Sequence, residues 1–209
     1  MGRNLDPKCK QCRRVGEKMF LKGERCIGPK CALTKRNYPP GVHGGKGRTR
    51  QTEYGLQLQE KQKAMKEYRL LEKQFHLTFL RAHHRAGNVA DNFLSMLETR
   101  LDNTVYRLNF APSRDTARQL ITHGHLTVNG KKVAIPSYQV KTNDIIKIKA
   151  GSSRKKVFAK LGESLKKAKP PSWLYINVGE LSGKVLNQPS AKDLTTNINS
   201  QMIVEFYSR

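Results

Sequence analysis

The chain has 209 residues and carries 40 Lys and Arg against 16 Asp and Glu, a formal net charge of +24. At 37% hydrophobic it falls below the ~45–50% apolar share of ordinary domains, yet it is far from a disordered composition. No apolar run reaches the ~18 residues that cross a bilayer, and Met1-Gly2-Arg3 is followed by no apolar stretch, so neither a membrane span nor a secretory signal is expected. A soluble, cytoplasmic, cationic protein is expected instead, and nucleic acid is the usual partner that neutralises such charge. The charge is +11 in residues 1–50, +3 in 51–90, +4 in 91–150 and +6 in 151–172, then zero to the end. It is spread over folded-looking sequence and is no basic tail. The neutral end closes on the apolar run Met202–Tyr207, which reads as a segment returning to pack on an earlier domain.

All four cysteines, Cys9, Cys12, Cys26 and Cys31, fall in the first 31 residues. Two close pairs joined by a short span suit a tetrahedral four-thiolate site, so one structural zinc ion is expected. A four-cysteine iron–sulfur cluster is the alternative, since ligand type does not separate the two. Two disulfides, or a dithiol redox pair, fit a reduced compartment and four clustered thiols less well. Arg3, Lys8, Lys10, Arg13, Arg14, Lys22, Arg25, Lys30, Lys35 and Arg36 surround this segment and are candidate RNA contacts; they also offset an anionic tetrathiolate.

Residues 37–50 hold two prolines and four glycines and are expected to form a flexible loop. His43, Lys46, Arg48 and Arg50 on it suit a phosphate backbone, and the glycines match no nucleotide-binding pattern. Residues 52–84 read as helical, with Lys61, Lys66 and Arg69 offering cations on exposed faces and Leu70–Leu80 marking a second, more apolar helix. From Asp91 to Leu108 the apolar residues recur every three or four positions, which predicts one amphipathic helix. Ser113 suits the N-cap of a short helix closed by Gly124.

The tract Leu126–Val133 is a hairpin around Asn129-Gly130, and Asp144–Lys149 supplies a further strand. Ser113, Arg114, Arg118, His123, His125, Lys131 and Lys132 gather near this helix–hairpin junction and are expected to form the principal RNA grip. Arg114 and Arg118 on a rigid helix are expected to contribute more each than the loop cations. Arg154, Lys155 and Lys156 begin a basic stretch that stops at Pro170-Pro171, and Trp173–Val178 reads as a strand. No Ser/His/Asp arrangement, carboxylate pair or open metal site points to catalysis.

The four-cysteine segment followed by Tyr38-Pro39-Pro40-Gly41, the run Arg100-Leu101-Asp102-Asn103-Thr104-Val105-Tyr106-Arg107-Leu108, His123-Gly124-His125, Val128-Asn129-Gly130 and the ending Val204–Arg209 resemble the S-four family of bacterial small-subunit ribosomal proteins, in its form with a four-cysteine metal knuckle. The resemblance spans the chain in order. It implies an α+β fold: a mainly helical N-terminal rRNA-binding domain over 1–97, with the knuckle in 1–40; a small two-helix and antiparallel-sheet RNA-binding module over 98–162; and a basic linker and C-terminal segment over 163–209 that returns to the first domain. It further implies a non-enzymatic binder of small-subunit rRNA at a multi-helix junction, acting early in assembly. The family touches its neighbour S-five at an interface that affects decoding accuracy, and lines the channel through which messenger RNA enters. In some bacteria it also represses its own operon.

Overall fold

The computed structural model describes residues 4–46, 50–153, 155, 158–159, 161–166, 168–190, 193 and 197–209. They divide into two compact units, one made of the chain up to Phe93 together with its last residues from 196, the other of Leu94 to 195. No helix among the described residues is long and apolar enough to cross a membrane.

The first unit begins with three short helices, α1 (Lys8–Val15), α2 (Glu24–Ile27) and α3 (Ala32–Lys35). Four buried residues, Cys12, Val15, Met19 and Leu21, form the local apolar cluster. In the glycine-rich tract, where no regular structure is expected, Val42–Lys46 closes a single 3-10 turn. Thr52 caps α4 (Glu53–Glu67), its hydroxyl accepting from the Gly55 N–H at 3.2 Å. The chain then turns at Arg69, whose φ of 58° lies in the left-handed region, before α5 (Glu72–His83). That conformation costs roughly 1–2 kcal/mol in a non-glycine residue. It is offset by two bonds of the Arg69 guanidinium, to Gln11 Oε1 at 3.1 Å and to the Asn4 carbonyl at 2.6 Å. α6 (Val89–Glu98) follows, and its Phe93 stacks edge-on against Phe75 at 5.0 Å.

The second unit shows that the amphipathic stretch 91–108 is two helices. Apolar periodicity runs on across the joint, but Arg100 is extended (φ −67°, ψ 138°) and bridges Gln139 before α7 (Leu101–Arg107). The N–H groups of Leu101 and Asp102, left free at the helix start, donate to the Tyr138 and Pro136 carbonyls at 2.8 and 3.1 Å. α8 (Arg114–Thr122) is capped by Ser113, whose Oγ accepts from the Thr116 N–H at 3.3 Å. The hairpin is β1 (Leu126–Val128) and β2 (Lys131–Lys132), with Asn129 and Gly130 at φ of 50° and 78°, the two positive values that a tight hairpin turn needs. β3 (Ile145–Ile148) pairs antiparallel with β1, with Thr127 opposite Lys147. α9 (Ala150–Ser153) and α10 (Leu161–Lys166) lead to β4 (Leu174–Asn177) and β5 (Ser182–Val185). The sheet order is β2-β1-β3-β5-β4, antiparallel throughout. Leu101, Val105, Leu108, Ile121, Leu126, Ile146, Trp173 and Val185 lie in one buried core.

Residues 163–209 therefore do not return to the first unit as one segment. β5 pairs with β3, and Trp173, Leu174 and Val185 fill the core of the second unit, which extends the module well past residue 162. Only the last stretch joins the first unit. There α11 (Ser200–Tyr207), capped by Asn199, lies along α4. Tyr207 packs on Phe79 with ring centroids 4.7 Å apart and donates to Glu72 Oε1 at 2.8 Å. Phe206 packs on Tyr54 at 5.6 Å.

Candidate nucleic-acid interface

The four cysteines form no disulfide and line one small cavity of about 20 Å³, together with Leu21, Lys22 and Leu33. Cys12, Cys26 and Cys31 are buried. The Lys22 N–H donates to Cys26 Sγ at 3.3 Å. Burial pushes the Cys12 thiol up; the Met19 N–H opposes this, and Cys26, Cys9 and Cys31 add to the rise. Burial also raises Cys31, but the Thr34 and Leu33 N–H groups, the Thr34 hydroxyl and Lys18 outweigh it and leave its pKa below the ordinary thiol value. Among the described residues, no three His, Cys, Asp or Glu side chains cluster at the spacing of a metal site. The donor set and its N–H partners nonetheless fit a thiolate-bound ion.

Beside this cavity lies a cleft of about 420 Å³, lined by Cys9, Ala32 and six cations: Lys10, Arg13, Arg25, Lys30, Lys35 and Arg36. No carboxylate among the described residues lines it. Arg13 is anchored, donating to the Tyr38 and Pro39 carbonyls at 3.0 and 3.2 Å with its guanidinium 4.7 Å above the Tyr38 ring. A second groove, about 570 Å³, brings Arg14, His43 and Lys66 together between residues 39–44 and α4. Burial, then Arg14, holds the Lys66 pKa below the usual lysine value, while Asp6 pulls the other way. Lys22, Lys46 and Arg50 are exposed in the same unit, and Lys8 is half-buried.

In the second unit the end of α8 meets the hairpin. Gly124 has φ of +70° and the Lys132 side chain lies where its Cβ would be, so no other residue fits there without displacing Lys132. Lys131, Lys132, His123 and Lys155 are exposed around this joint. His125 shares a 3.0 Å hydrogen bond between its Nδ1 and Ser152 Oγ. Burial, then Lys155 and His123, hold its pKa below the ordinary histidine value.

Five further expected RNA contacts, besides Arg13 and His125, have partners within the protein. Arg114 and Arg118 are each 7% exposed. Arg114 Nε donates to Asn103 Oδ1 at 2.8 Å and the guanidinium stacks on Tyr106; Arg118 lies 3.6 Å from Asp102. Ser113 is spent on its helix cap. Lys61 is paired with Glu72 at 3.0 Å under the Phe206 ring, and Arg69 holds the joint after α4. For each cation, oxygens brought in from elsewhere in the sequence satisfy it internally. Glu98 and Asp102, neither of them a candidate site residue in the sequence, organise the second unit. Glu98 accepts from Arg107 at 2.9 and 2.7 Å and from Asn103 at 2.8 Å, and Asp102 accepts from Arg100 at 3.1 and 2.9 Å. Their signal in the sequence is the density of charge on an otherwise core-facing helix. Arg3, Arg48, Arg154 and Lys156 lie outside the described residues.

Residues 3–98 match the family model described as ribosomal protein S4/S9 N-terminal domain, and residues 99–146 match the S4 domain. The small ribosomal subunit protein uS4 of Halothermothrix orenii is 49% identical over 209 residues, covering all of both chains. The chain belongs to the uS4 family. Other uS4 proteins agree: that of Heliobacterium modesticaldum is 48% identical and that of Thermus thermophilus 46%, again over the full length of both chains. The uS4 family is structural, not enzymatic. The two family models meet at 98/99, the point where the structure breaks helix 91–108 with the Glu98 and Arg100 ion pairs.

Proposed function

We propose that this chain is a structural constituent of the small ribosomal subunit in the cytoplasm, binding small-subunit rRNA at a multi-helix junction and nucleating assembly around it. The observation that carries this, beside membership of the uS4 family, is the cleft lined by six cations and, among the described residues, no carboxylate. A-form RNA hides its bases in a deep groove, so a cationic concavity recognises phosphates and shape. The exposed joint of His123, Lys131, Lys132 and Lys155 supplies a second cationic contact surface. The glycine-rich residues 43–50 suit messenger RNA entering the subunit. Contact with S-five, an effect on decoding accuracy and repression of the chain's own operon come from the family resemblance alone. Cys9, Cys12, Cys26 and Cys31 are the ligands of one zinc ion in this reading, with an iron–sulfur cluster as the alternative. A bound ion supplies a covalent-like closure for a segment with little apolar core of its own.

The test is filter binding of the chain to a junction fragment of small-subunit rRNA at several salt concentrations. Replacing Lys131 and Lys132 together by Ala should flatten the slope of log affinity against log salt by about 0.7–0.9 for each phosphate no longer neutralised. Unfolding midpoints should not move. An unchanged slope removes the hairpin from the interface. Metal analysis with a visible absorption spectrum decides between zinc, with no band, and an iron–sulfur cluster, with one.

A further inference from the structure

The cationic cleft and the cysteine cavity share a wall: Cys9, Arg25 and Ala32 line both. The helices that carry the cleft's cations are poorly anchored by anything else. α2 and α3 have four residues each, and from residues 24–35 only Cys26, Cys31 and Leu33 are buried hydrophobic groups. The neighbouring apolar cluster draws all its members from residues 12–21. Arg25, Lys30, Lys35 and Arg36 are thus positioned chiefly through two thiols and Leu33.

We infer that RNA phosphates seated in this cleft and a metal ion held by Cys9, Cys12, Cys26 and Cys31 bind with positive coupling, so that the state of the thiols sets the RNA affinity of the first unit. The inference rests on the reading of the cysteines as metal ligands and of the cleft as an RNA contact. Two effects oppose each other. Four thiolates around a divalent ion carry a net charge of −2, which taken alone repels phosphate; at physiological salt this is damped over a Debye length of about 8 Å. Gathering the thiols fixes α2 and α3, so four long cationic side chains lose less freedom when they meet RNA, and salt does not screen that gain. Ordering wins, and the metal-bound form binds RNA more tightly. By linkage, bound RNA strengthens metal binding by the same factor.

The experiment uses the full chain, zinc and the junction fragment of rRNA. Zinc content is measured first, with one ion per chain expected. RNA affinity is then compared between zinc-loaded and chelator-stripped protein across salt concentrations. Stripping should weaken binding about tenfold, of the order expected for several side chains left unordered. The loss should persist across the salt range, because a gain in ordering is not screened. In the reciprocal arm, saturating RNA should tighten zinc binding, read by competition with a chromogenic chelator, by the same factor. The variant Lys35→Ala with Arg36→Ala leaves the thiols intact, and in it both the affinity and its zinc dependence should fall. Zinc-loaded protein that binds RNA no better than stripped protein overturns the coupling while leaving the metal reading standing. A chain that holds no zinc overturns both. Zinc dependence that persists undiminished in the Lys35/Arg36 variant moves the effect away from the cleft and overturns the assignment.

Discussion

Asp102 shows how a single carboxylate decides what an arginine is for. It accepts two hydrogen bonds from Arg100 and lies 3.6 Å from Arg118, with all three side chains buried. Asp102→Ala leaves two buried guanidinium groups short of their counter-charge, which should destabilise the second unit by about 3–5 kcal/mol in urea unfolding. Arg118→Ala should cost less, about 1–3 kcal/mol, since Arg100 keeps its partner. In RNA binding under conditions where it stays folded, Arg118→Ala should leave the salt slope unchanged, whereas Lys131→Ala flattens it. The sequence presents Arg114 and Arg118 one helical turn apart beside histidines and lysines, which looks like a phosphate grip. Nothing in local spacing announces that Asn103 and Asp102, eleven and sixteen residues earlier, fold over to meet them. Cations on short, exposed turns such as Lys131 and Lys132 are legible from sequence because a two-residue strand beside a tight turn brings no such carboxylate over them.

Among elements, the pairing of α11 with α4 is held by polar ties at its edges. Lys63 Nζ lies 2.9 Å from Glu17 and 3.3 Å from Glu60, and also donates to the Asn197 carbonyl. Burial pulls the Lys63 ammonium down, but Glu17 and Glu60 outweigh it and set its pKa above the ordinary lysine value. Burial and Glu72 likewise push the Tyr207 phenol far above its ordinary value. Both groups hold their protons longer in the folded chain than in the unfolded one. Their stabilisation is complete below the unfolded values, near ~10, and is lost as pH rises beyond them. Thermal unfolding followed from about pH 8 to 11 should therefore show the first unit weakening at the alkaline end. Lys63→Met and Tyr207→Phe should each flatten that fall. The apolar run Met202–Tyr207 announces a packed terminus and Trp173–Val178 announces β4, whereas the pairing of β5 with β3, as in Lys147 opposite Ser182, joins residues far apart in the chain, and strand registry over that distance has no local signature.

For the molecule as a whole, the second unit is one continuous stretch set between two parts of the first. Truncation after residue 195 should strip amide protection from α4 and α5, whose Phe75 and Phe79 lose the Tyr207 ring, and leave the five-stranded sheet protected. Hydrogen exchange on the truncated chain checks this; loss of protection in β1 or β3 contradicts it. The same arrangement fixes an order of events during synthesis. At about 5–20 residues per second, the roughly 100 residues of the second unit take some 5–20 s to emerge after α5 and before α11. Throughout that interval the aromatic face of α5 waits without its lid, and the second unit has time to close first. A nascent chain released or stalled in that window carries a finished sheet and an unfinished helical unit, with Phe75 and Phe79 open to whatever chaperone reaches them.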